Sequence, residues 1–259
     1  MISTQYAIEV RLMRDDVPSF DAYQFSLSAV CGLDVLPLHP RVTFFIGENG
    51  SGKSTLLEAI AVSCGFNAEG GTKNFRFGTR TSHSDLHAYL RIVKGIRRPK
   101  DGFFLRAESF FNVATEIERL DSEGFGGPRV IDSYGGKSLH EQSHGESFLA
   151  LMLNRFGGNG LYLLDEPEAA LSPQRQLAAL ARIHHLANAN SQFIIATHSP
   201  ILMAYPDSFI YACNSQGIHR IAYEETEHYR VMHDFMVNPK RFLEVLLAPD
   251  EATAHGEAL

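Results

Sequence analysis

The sequence of 259 residues contains no tryptophan and only three cysteines. Cys31, Cys64 and Cys213 are odd in number and widely spaced, so they indicate neither a disulfide framework nor a paired-cysteine metal site. We expect them to be small buried hydrophobic residues. No apolar run approaches the roughly 18–20 residues that a transmembrane helix needs, and the first residues lack the apolar core of a signal peptide. The chain is therefore expected to be cytoplasmic and without direct membrane insertion.

The sequence also has no excess of positive charge, since its formal net charge is −7 at pH 7. This balance argues against a strongly basic surface for nucleic acids, although it permits a local patch. The basic cluster of the sequence is Lys94, Arg97, Arg98 and Lys100, which we interpret as a solvated hairpin tip. What the sequence does contain is a 44% share of hydrophobic residues, enough for the core of one large domain or two small ones.

A glycine-rich loop lies between an apolar run and a helical pattern. Residues 41–46 predict a buried strand, residues 47–55 read GENGSGKST, and residues 56–61 continue as an apolar helix. This order fits the phosphate-binding motif G-x-x-x-x-G-K-[ST]. Its glycines let the backbone wrap around a polyphosphate, Lys53 adds a positive charge, and Ser54 is placed to hold Mg²⁺. We call residues 47–55 the cradle.

Two further apolar runs end at residues suited to nucleotide chemistry. Asp165 and Glu166 follow the run 161–164, and His198 follows the run 193–196. Ligands of open α/β sheets bind beyond the carboxyl ends of the strands, so we expect these side chains beside the cradle. Asp165 can orient Mg²⁺, and Glu166 can accept a proton from an attacking water. His198 can hydrogen-bond the terminal phosphate of the bound nucleotide.

The residues Ser143–Ser147, which read SHGES, open another predicted helix over residues 146–156. Their hydroxyl, Gly145 and the free N–H groups of the helix form a second anion site. Because the cradle already covers one face of a polyphosphate, this site most simply serves a nucleotide held by another subunit. The pattern predicts a dimer with nucleotide at its interface. We call residues 143–147 the SHGES segment.

The rest of the chain carries weaker patterns. Alternation and turn residues predict strands over 6–13, 23–30, 85–93 and 103–106, and a hairpin over 209–222. Helical periodicity predicts helices over 109–120 and 174–187. In the second of these helices, the residues expected to share the buried face are Leu177, Leu180, Ala181 and His184.

The order of these motifs resembles that of the ATP-binding-cassette (ABC) ATPases. GENGSGKST, SHGES, LYLLDEPEAAL and ATHSP, between residues 40 and 215, are similar to the Walker A, signature, Walker B with D-loop, and switch-histidine motifs of that family. The first and third motifs look more like those of soluble ATPases related to RecF and the structural-maintenance-of-chromosomes (SMC) proteins than like transporter subunits. FFLRAESFF and SHGESFLALM also resemble a small bacterial family of AAA-type ATPases.

The resemblance implies an α/β fold, a P-loop NTPase of ABC ATPase type. Its sheet would be mostly parallel, with an antiparallel β portion and a small helical signature region. It implies one ATPase domain over residues 1–259, with a core at about 40–215, a helical subregion from Glu108 to Ser143, and C-terminal helices and a tail over 223–259. The implied cofactors are ATP and Mg²⁺. ATP binding is expected to join two copies of the chain into a homodimer.

The resemblance also assigns roles to individual residues. The residues expected in catalysis are Lys53, Glu166 and His198. Those expected at the metal are Ser54, Asp165 and Glu108. Glu108 stands where the family has the glutamine of its Q-loop, and Ser172 stands where the family has the D-loop aspartate. The residues expected at the nucleotide are Gly47, Asn49, Gly50, Ser51, Gly52, Lys53, Ser54 and Thr55 of one chain and Ser143, Gly145 and Glu146 of the other.

Three functions remain open at this point. The first is ATP hydrolysis that drives a conformational change in a DNA or protein partner, in repair or in defence. The second is the ATP-binding subunit of a membrane transporter, and the third is a non-hydrolysing nucleotide sensor or scaffold. No long coiled-coil insertion separates Glu108 from Ser143. The reach of the SMC proteins is therefore missing, and a partner must lie close by or supply it.

Pairs of histidines suggest a competing metal site. Residues 140–144 read H-E-x-x-H, the zinc motif of metalloproteases, but Gly145 interrupts the helix that this motif needs and no third ligand is evident. His83 and His87 share the spacing of one helical turn, and we interpret them as a polar cover beside the nucleotide. The nucleotide interpretation of both segments is the stronger one.

Overall fold

The computed structural model describes residues 5–73, 84–123 and 129–248. Within these ranges the strands are β1 (Ala7–Leu12), β2 (Val35–Pro37), β3 (Val42–Gly47), β4 (Leu90–Lys94), β5 (Asp101–Arg106), β6 (Gly160–Asp165), β7 (Gln192–Ala196), β8 (Phe209–Asn214) and β9 (Gly217–Ile221). The α-helices are α1 (Tyr23–Ser26), α2 (Ser28–Cys31), α3 (Lys53–Ser63), α4 (Phe110–Glu123), α5 (His144–Asn154), α6 (Pro173–Asn188), α7 (Pro200–Met203), α8 (Glu227–Val237) and α9 (Pro239–Leu246).

The larger sheet has the strand order β5-β6-β7-β3-β8-β9 among the described residues. The neighbours from β5 to β8 are parallel, and β9 runs antiparallel to β8. Strands β6 and β7 are buried along their whole length, as expected for parallel strands that are covered on both faces. The predicted fold class, a mostly parallel sheet with an antiparallel portion, is confirmed. Strand β3, which leads into the cradle, lies in the middle of this sheet.

A smaller antiparallel sheet has the order β2-β1-β4 within the described part of the chain. Helix α3 contacts strands of both sheets. Residues 56–61 of this helix are all buried, so it has no solvent-facing side over this stretch. A helix that is apolar nearly all round belongs in an interior. The helix that follows the cradle is thus fixed between two sheets.

The side chain of Gln192 joins the two sheets. Its Oε1 accepts hydrogen bonds from the backbone N–H groups of Tyr6 (3.0 Å) and Ala7 (2.9 Å). Its Nε2 donates to the carbonyls of Ala7 (2.7 Å) and His39 (3.0 Å). Gln192 is buried, so all four hydrogen bonds replace water in the interior. The amide therefore fixes β1 against the first residue of β7.

Two predicted strands are wrong in whole or in part. Residues 23–26 form α1 and residues 28–31 form α2; Phe25 is buried in the first helix and Ala29 in the second. Residues 85–89 form a 3-10 helix, and only the second part of the predicted strand is extended, as β4. Both segments are short and apolar, a pattern in which helix and strand cannot be separated by periodicity. Cys31 ends α2 with its side chain exposed, so it is not the buried thiol we expected.

Helix α6 buries a different face from the predicted one. Its buried residues are Ala179, Ile183, Leu186 and Ala187. Leu177 is 56% exposed, and Ala181 and His184 are also exposed. The helix carries apolar residues on more than one side, and packing against the strands decides which stripe is covered. Helix α4 agrees with its prediction, because Phe110, Val113, Ala114 and Ile117 are buried.

The chain divides into a compact unit that ends at Ile221 and a second unit that begins at Ala222. In the second unit, Thr226 Oγ1 accepts a hydrogen bond from Tyr229 N (3.2 Å) and so caps α8. Asn238 Oδ1 accepts one from Arg241 N (3.2 Å) and caps α9. Residues 249–259 of the expected tail lie outside the described residues. In the described ranges, no helix combines the length and the apolar character that crossing a membrane requires.

Candidate active site

The cradle connects the end of β3 to the start of α3. Gly47 has φ +145°, and a Cβ atom there would lie 2.3 Å from the carbonyl oxygen of Cys213 on the neighbouring strand. Only glycine fits so close to that backbone. Gly52 has φ +93°, a left-handed conformation, and directly precedes Lys53, the first residue of the helix. The loop therefore has the tight turns that bring backbone N–H groups towards a phosphate.

Lys53 is 4% exposed, and its ammonium group lies at the loop itself. Its Nζ donates hydrogen bonds to the carbonyls of Gly47 (2.8 Å) and Glu48 (3.0 Å). Burial lowers the pKa of the ammonium group, and the charge of Glu166 opposes that shift. The two carbonyl bonds hold the positive charge at the loop.

Ser54 and Asp165 meet at the carboxyl end of β6. Ser54 Oγ donates a hydrogen bond of 2.8 Å to Asp165 Oδ1. Burial raises the pKa of Asp165 to about 6, and the Ser54 hydrogen bond and the charge of Arg106 oppose that shift. A hydroxyl and a carboxylate oxygen at this distance form the kind of oxygen donor pair that Mg²⁺ accepts. The residues present therefore fit the predicted metal.

Glu166 follows β6 in a left-handed backbone conformation, with φ 49° and ψ 52°. This conformation costs a residue with a side chain about 1–2 kcal/mol, and such strain concentrates at functional sites. Two features hold it: Glu166 N donates to Ala196 O (2.9 Å), and Pro167 opens a 3-10 helix directly afterwards. Glu166 Oε1 lies 3.6 Å from His198 Nε2, and its side chain is 40% exposed. The carboxylate is therefore within reach of water.

The sheet order explains why these side chains meet. β6, β7 and β3 are neighbours, so Asp165, His198 and the cradle follow adjacent strands at one edge of the sheet. Glu108 lies at the same edge but is 86% exposed on its side chain, with Arg106 Nη2 3.6 Å from its carboxylate. The metal role of Glu108 stays a prediction. Asn49 and Gly50 lie at the exposed tip of the cradle, and Ser51 is buried.

Three residues of the site were not predicted from the sequence. Arg106, the last residue of β5, donates from Nη1 to Glu58 Oε2 (2.5 Å), and its Nε lies 3.7 Å from Asp165 Oδ2. Glu168 Oε1 accepts a hydrogen bond from the backbone N–H of His198 (2.5 Å). Arg106 could have been found, because it also ends an apolar strand. Glu168 also lies within the quoted LYLLDEPEAAL motif, just after the end of β6. Glu58 gave no signal, since it lies inside α3.

Helix α5 begins within the SHGES segment, at His144, two residues before the predicted start at residue 146. Ser143 donates from N (3.1 Å) and from Oγ (2.8 Å) to Glu146 Oε2, the reciprocal arrangement of a helix N-terminus. Glu146 Oε1 also lies 3.3 Å from Arg175 Nη2. A Cβ on Gly145 would lie 2.4 Å from Ala170 O, so this glycine permits close packing on the 3-10 helix after Glu166. Ser143 and Glu146 are exposed.

The structure also locates Ser172 and the histidines of the competing metal motif. Ser172 Oγ accepts a hydrogen bond from Arg175 N (3.4 Å) and caps α6, which starts with proline. His140 lies before α5 begins and packs on the ring of Phe111 at 4.5 Å, so the helix that H-E-x-x-H requires does not include it. His83 lies outside the described residues. Among those that are described, no group of three or more His, Cys, Asp or Glu is arranged to hold a metal.

Two family models match the chain in succession. Residues 27–119 match an AAA domain, and residues 135–204 match an AAA domain whose description associates it with the AbiEii toxin of type IV toxin–antitoxin systems. Among curated proteins, none matches this chain.

Solved structures with a similar fold include an SMC head domain from Thermotoga maritima and an ATP-binding cassette of an ABC transporter. The first is 16% identical, covers 84% of this chain and 99% of its own, and has a TM-score of 0.44. The second is 19% identical, covers 90% of this chain and 98% of its own, and has a TM-score of 0.48. Two consecutive stretches of this chain, which include the cradle and the end of β6, are therefore similar to AAA domains.

Proposed function

We propose that this chain binds ATP with Mg²⁺ at the cradle and hydrolyses it. The observation that carries the proposal is the 2.8 Å hydrogen bond from Ser54 Oγ to Asp165 Oδ1. These oxygens come from the helix after the cradle and from the end of a neighbouring strand. Their meeting point is next to the loop that would hold the phosphates, which is where a metal must lie to neutralise phosphate charge.

The loop and Lys53 would hold the phosphate groups. Lys53 Nζ would exchange the carbonyls of Gly47 and Glu48 for phosphate oxygens. Ser54 and Asp165 would hold Mg²⁺, which supplies charge neutralisation when bound. The backbone N–H groups of the cradle add fixed partial positive charge without a protonation step. Catalysis would therefore come mostly from positioning and charge stabilisation.

Glu166 is the proposed general base. Its backbone conformation turns the chain out of the strand, and its carboxylate is partly exposed, so a water molecule can reach it. His198 lies 3.6 Å away and is itself fixed by the hydrogen bond from its backbone N–H to Glu168. We infer that Glu166 accepts a proton from the attacking water and that His198 responds to the terminal phosphate.

The proposed functional state is a homodimer in which the SHGES segment of one chain completes the cradle of the other. Ser143 and Glu146 of this segment are exposed, and their side-chain hydrogen bonds go to each other and to Arg175. The start of α5 carries the partial positive charge of a helix N-terminus, which an anion from outside the chain would use. Hydrolysis would then open the dimer.

Glu166→Gln tests both parts of this proposal. With the base removed, turnover should fall by roughly 10²–10⁴-fold, whereas ATP should still bind. The variant should therefore accumulate as an ATP-bound dimer in sedimentation velocity runs with Mg-ATP. Glu123→Gln, at the exposed end of α4, is the matched control and should behave like the natural chain. Chelation of Mg²⁺ should stop turnover in both proteins.

Two results would contradict the proposal. If Glu166→Gln keeps its turnover, Glu166 is not the base. If Glu166→Gln binds ATP but stays monomeric at saturating Mg-ATP, the shared site is wrong. ATP that binds to the natural chain without being cleaved, with or without DNA, would favour a nucleotide sensor instead.

A role in defence is the second candidate, favoured by the AAA-domain match at residues 135–204 and its association with a toxin–antitoxin system. Overproduction of the natural chain in a bacterial host should then slow growth, and Lys53→Ala should remove that effect. A DNA partner is tested separately, by turnover with single- and double-stranded DNA. Stimulation through phosphate contacts must weaken as salt rises.

A further inference from the structure

A small cavity lies beside the loop between β4 and β5, in the first compact unit. Its volume is about 130 Å³. Four cationic residues converge on it: Lys73, Lys94, Arg97 and Arg98. Tyr6 and Cys64 form part of its wall. We call this the basic cavity. It contains three of the four residues that sequence analysis had interpreted as a solvated hairpin tip, together with a lysine from a distant part of the chain.

Nothing in the described part of the chain neutralises these charges. No Asp or Glu lines the basic cavity, and none of its four cations forms an ion pair with a described carboxylate. The sequence of residues 74–83, which follows Lys73, contains no Asp or Glu either. Burial lowers the pKa of Lys73, and the charges of Lys94 and Arg98 lower it further. All four cationic residues are exposed, so the basic cavity presents its positive charge to solvent, where an anion can reach it.

The loop between β4 and β5, which carries Arg97 and Arg98, is fixed at both ends. Gly95 N donates to Tyr6 O (3.0 Å), and Lys100 N donates to Asn159 O (2.9 Å). Lys73 Nζ lies 4.9 Å from the centre of the Phe66 ring, and this cation–π contact orients the lysine side chain. A ligand would therefore find much of the basic cavity already formed, which reduces the entropy cost of binding.

The basic cavity is distinct from the candidate active site. Leu161, the second residue of β6, lines it, whereas Asp165 is the last residue of the same strand. Four residues of extended strand separate them by about 13 Å. The cavity therefore lies towards the amino ends of the parallel strands, and the cradle lies at their carboxyl ends. A ligand here would leave the cradle accessible to nucleotide.

We propose that the basic cavity binds a single phosphate group. Guanidinium groups present planar sets of donors that match phosphate oxygens, and ammonium groups add point charges. A dianion suits four cations better than a carboxylate does. The volume excludes a whole nucleotide, since sites for drug-sized molecules occupy about 300–1,000 Å³. The phosphate can come from a free phosphorylated molecule or from the 5′ end of a nucleic acid strand.

The test uses the full chain carrying Lys53→Ala, so that the cradle contributes little to phosphate binding. Inorganic phosphate, a 5′-phosphorylated oligonucleotide and its 5′-hydroxyl counterpart are titrated by calorimetry at low ionic strength. Adding Arg97→Ala and Arg98→Ala should weaken phosphate binding at least about tenfold, because charge-assisted hydrogen bonds are lost. Lys100→Ala, in the same loop but outside the cavity, is the matched control and should change binding less than about twofold.

Each outcome is decisive. Loss of phosphate binding in the double variant but not in Lys100→Ala supports the proposal. A preference for the 5′-phosphorylated strand over its counterpart identifies a nucleic acid end as the source, and binding of inorganic phosphate alone identifies a small molecule. No binding of any of the three ligands overturns the proposal. The proposal is also overturned if the two strands bind equally and Lys100→Ala weakens their binding as much as the double variant does. That pattern describes a diffuse basic surface. Thermal unfolding confirms that every variant folds.

Discussion

The cradle and the SHGES segment, the two halves of the proposed nucleotide site, differ in how the fold holds them. The cradle follows the central strand of the larger sheet and opens a helix that is buried between two sheets. Its Lys53 and Ser54 already bond to oxygens of the same site. Ser143, by contrast, is exposed. Its Oγ donates a hydrogen bond to Glu146, three residues further along the chain. The cradle already bonds to other residues of the candidate site, whereas the contacts of the SHGES segment go to itself, to Ala170 and to Arg175.

Under the proposed function, this difference would mean that one chain is enough to bind nucleotide, whereas turnover needs two chains. A preorganised half can hold a nucleotide before any encounter, because little rearrangement is needed. The other half has two exposed residues, Ser143 and Glu146, where the proposed function has a second molecule meet the start of α5. Breaking the two halves should therefore have different consequences, and four experiments separate them.

The largest effect is expected in the cradle. Lys53→Ala should weaken ATP binding by roughly 10²-fold, because a buried ammonium group that bonds charged oxygens is lost. Equilibrium binding of a fluorescent ATP analogue measures this. Lys100→Ala removes an exposed lysine and should leave affinity unchanged. Equal loss in both variants would mean that overall charge, and not the cradle, binds the nucleotide.

The next effect tests whether the halves come from different chains. Ser143→Arg should abolish turnover while leaving ATP binding intact, because the substitution blocks an exposed surface. Mixed one to one with Lys53→Ala, it should regain up to about a quarter of natural turnover, since half of the dimers then contain one intact site. Phosphate release assays on the mixture measure this. No recovery would mean that each site is complete within one chain.

A smaller effect is expected where the SHGES segment meets its own chain. Gly145→Ala would place a methyl group 2.4 Å from Ala170 O, so the helix must shift. We expect a loss of about 1–3 kcal/mol in the free energy of unfolding, measured in urea. Gly157→Ala is the control, because its nearest new contact is an ordinary 3.6 Å. An unchanged free energy in Gly145→Ala would show that the start of α5 is loosely packed.

The smallest effect concerns the thiols and should leave turnover unchanged. Cys213 pairs in register with Gly47, and burial raises the pKa of its thiol to about 12. Burial also raises the pKa of Cys64. At pH 8 iodoacetamide should therefore modify exposed Cys31 alone, as mass spectrometry of peptides would reveal. Rapid modification of Cys213 would mean that the cradle opens often.

The fold and the site were predictable where a long apolar run ends at a polar motif. The fold class and the three strands before the cradle, Asp165 and His198 were predicted, because buried parallel strands and their ends have distinct patterns. The order of the strands was not predictable from those patterns. That order places β5 beside β6, and so brings Arg106 close to Asp165. A pairing between residues 59 positions apart leaves no local signal.

Short segments failed for a different reason. Residues 23–31 and 85–89 each contain too few turns to establish a period, so packing decides their conformation. The same holds for the face of α6, where several stripes were apolar enough. The left-handed conformation of Glu166 was also invisible, since its cost is repaid by the Ala196 hydrogen bond and by Pro167. These features come from tertiary context.

The central place of β3 has a consequence for how the chain is made. A ribosome synthesises residues 42–47 long before residues 192–196 and 209–214, the strands that pair with β3 on its two sides. Until then an apolar strand has two open edges, the condition that favours aggregation. Strand β1 differs, because its partners β2 and β4 are made well before residue 192 and only its bonds to the Gln192 amide must wait. The strand before the cradle is thus completed by the last part of the larger sheet to be made.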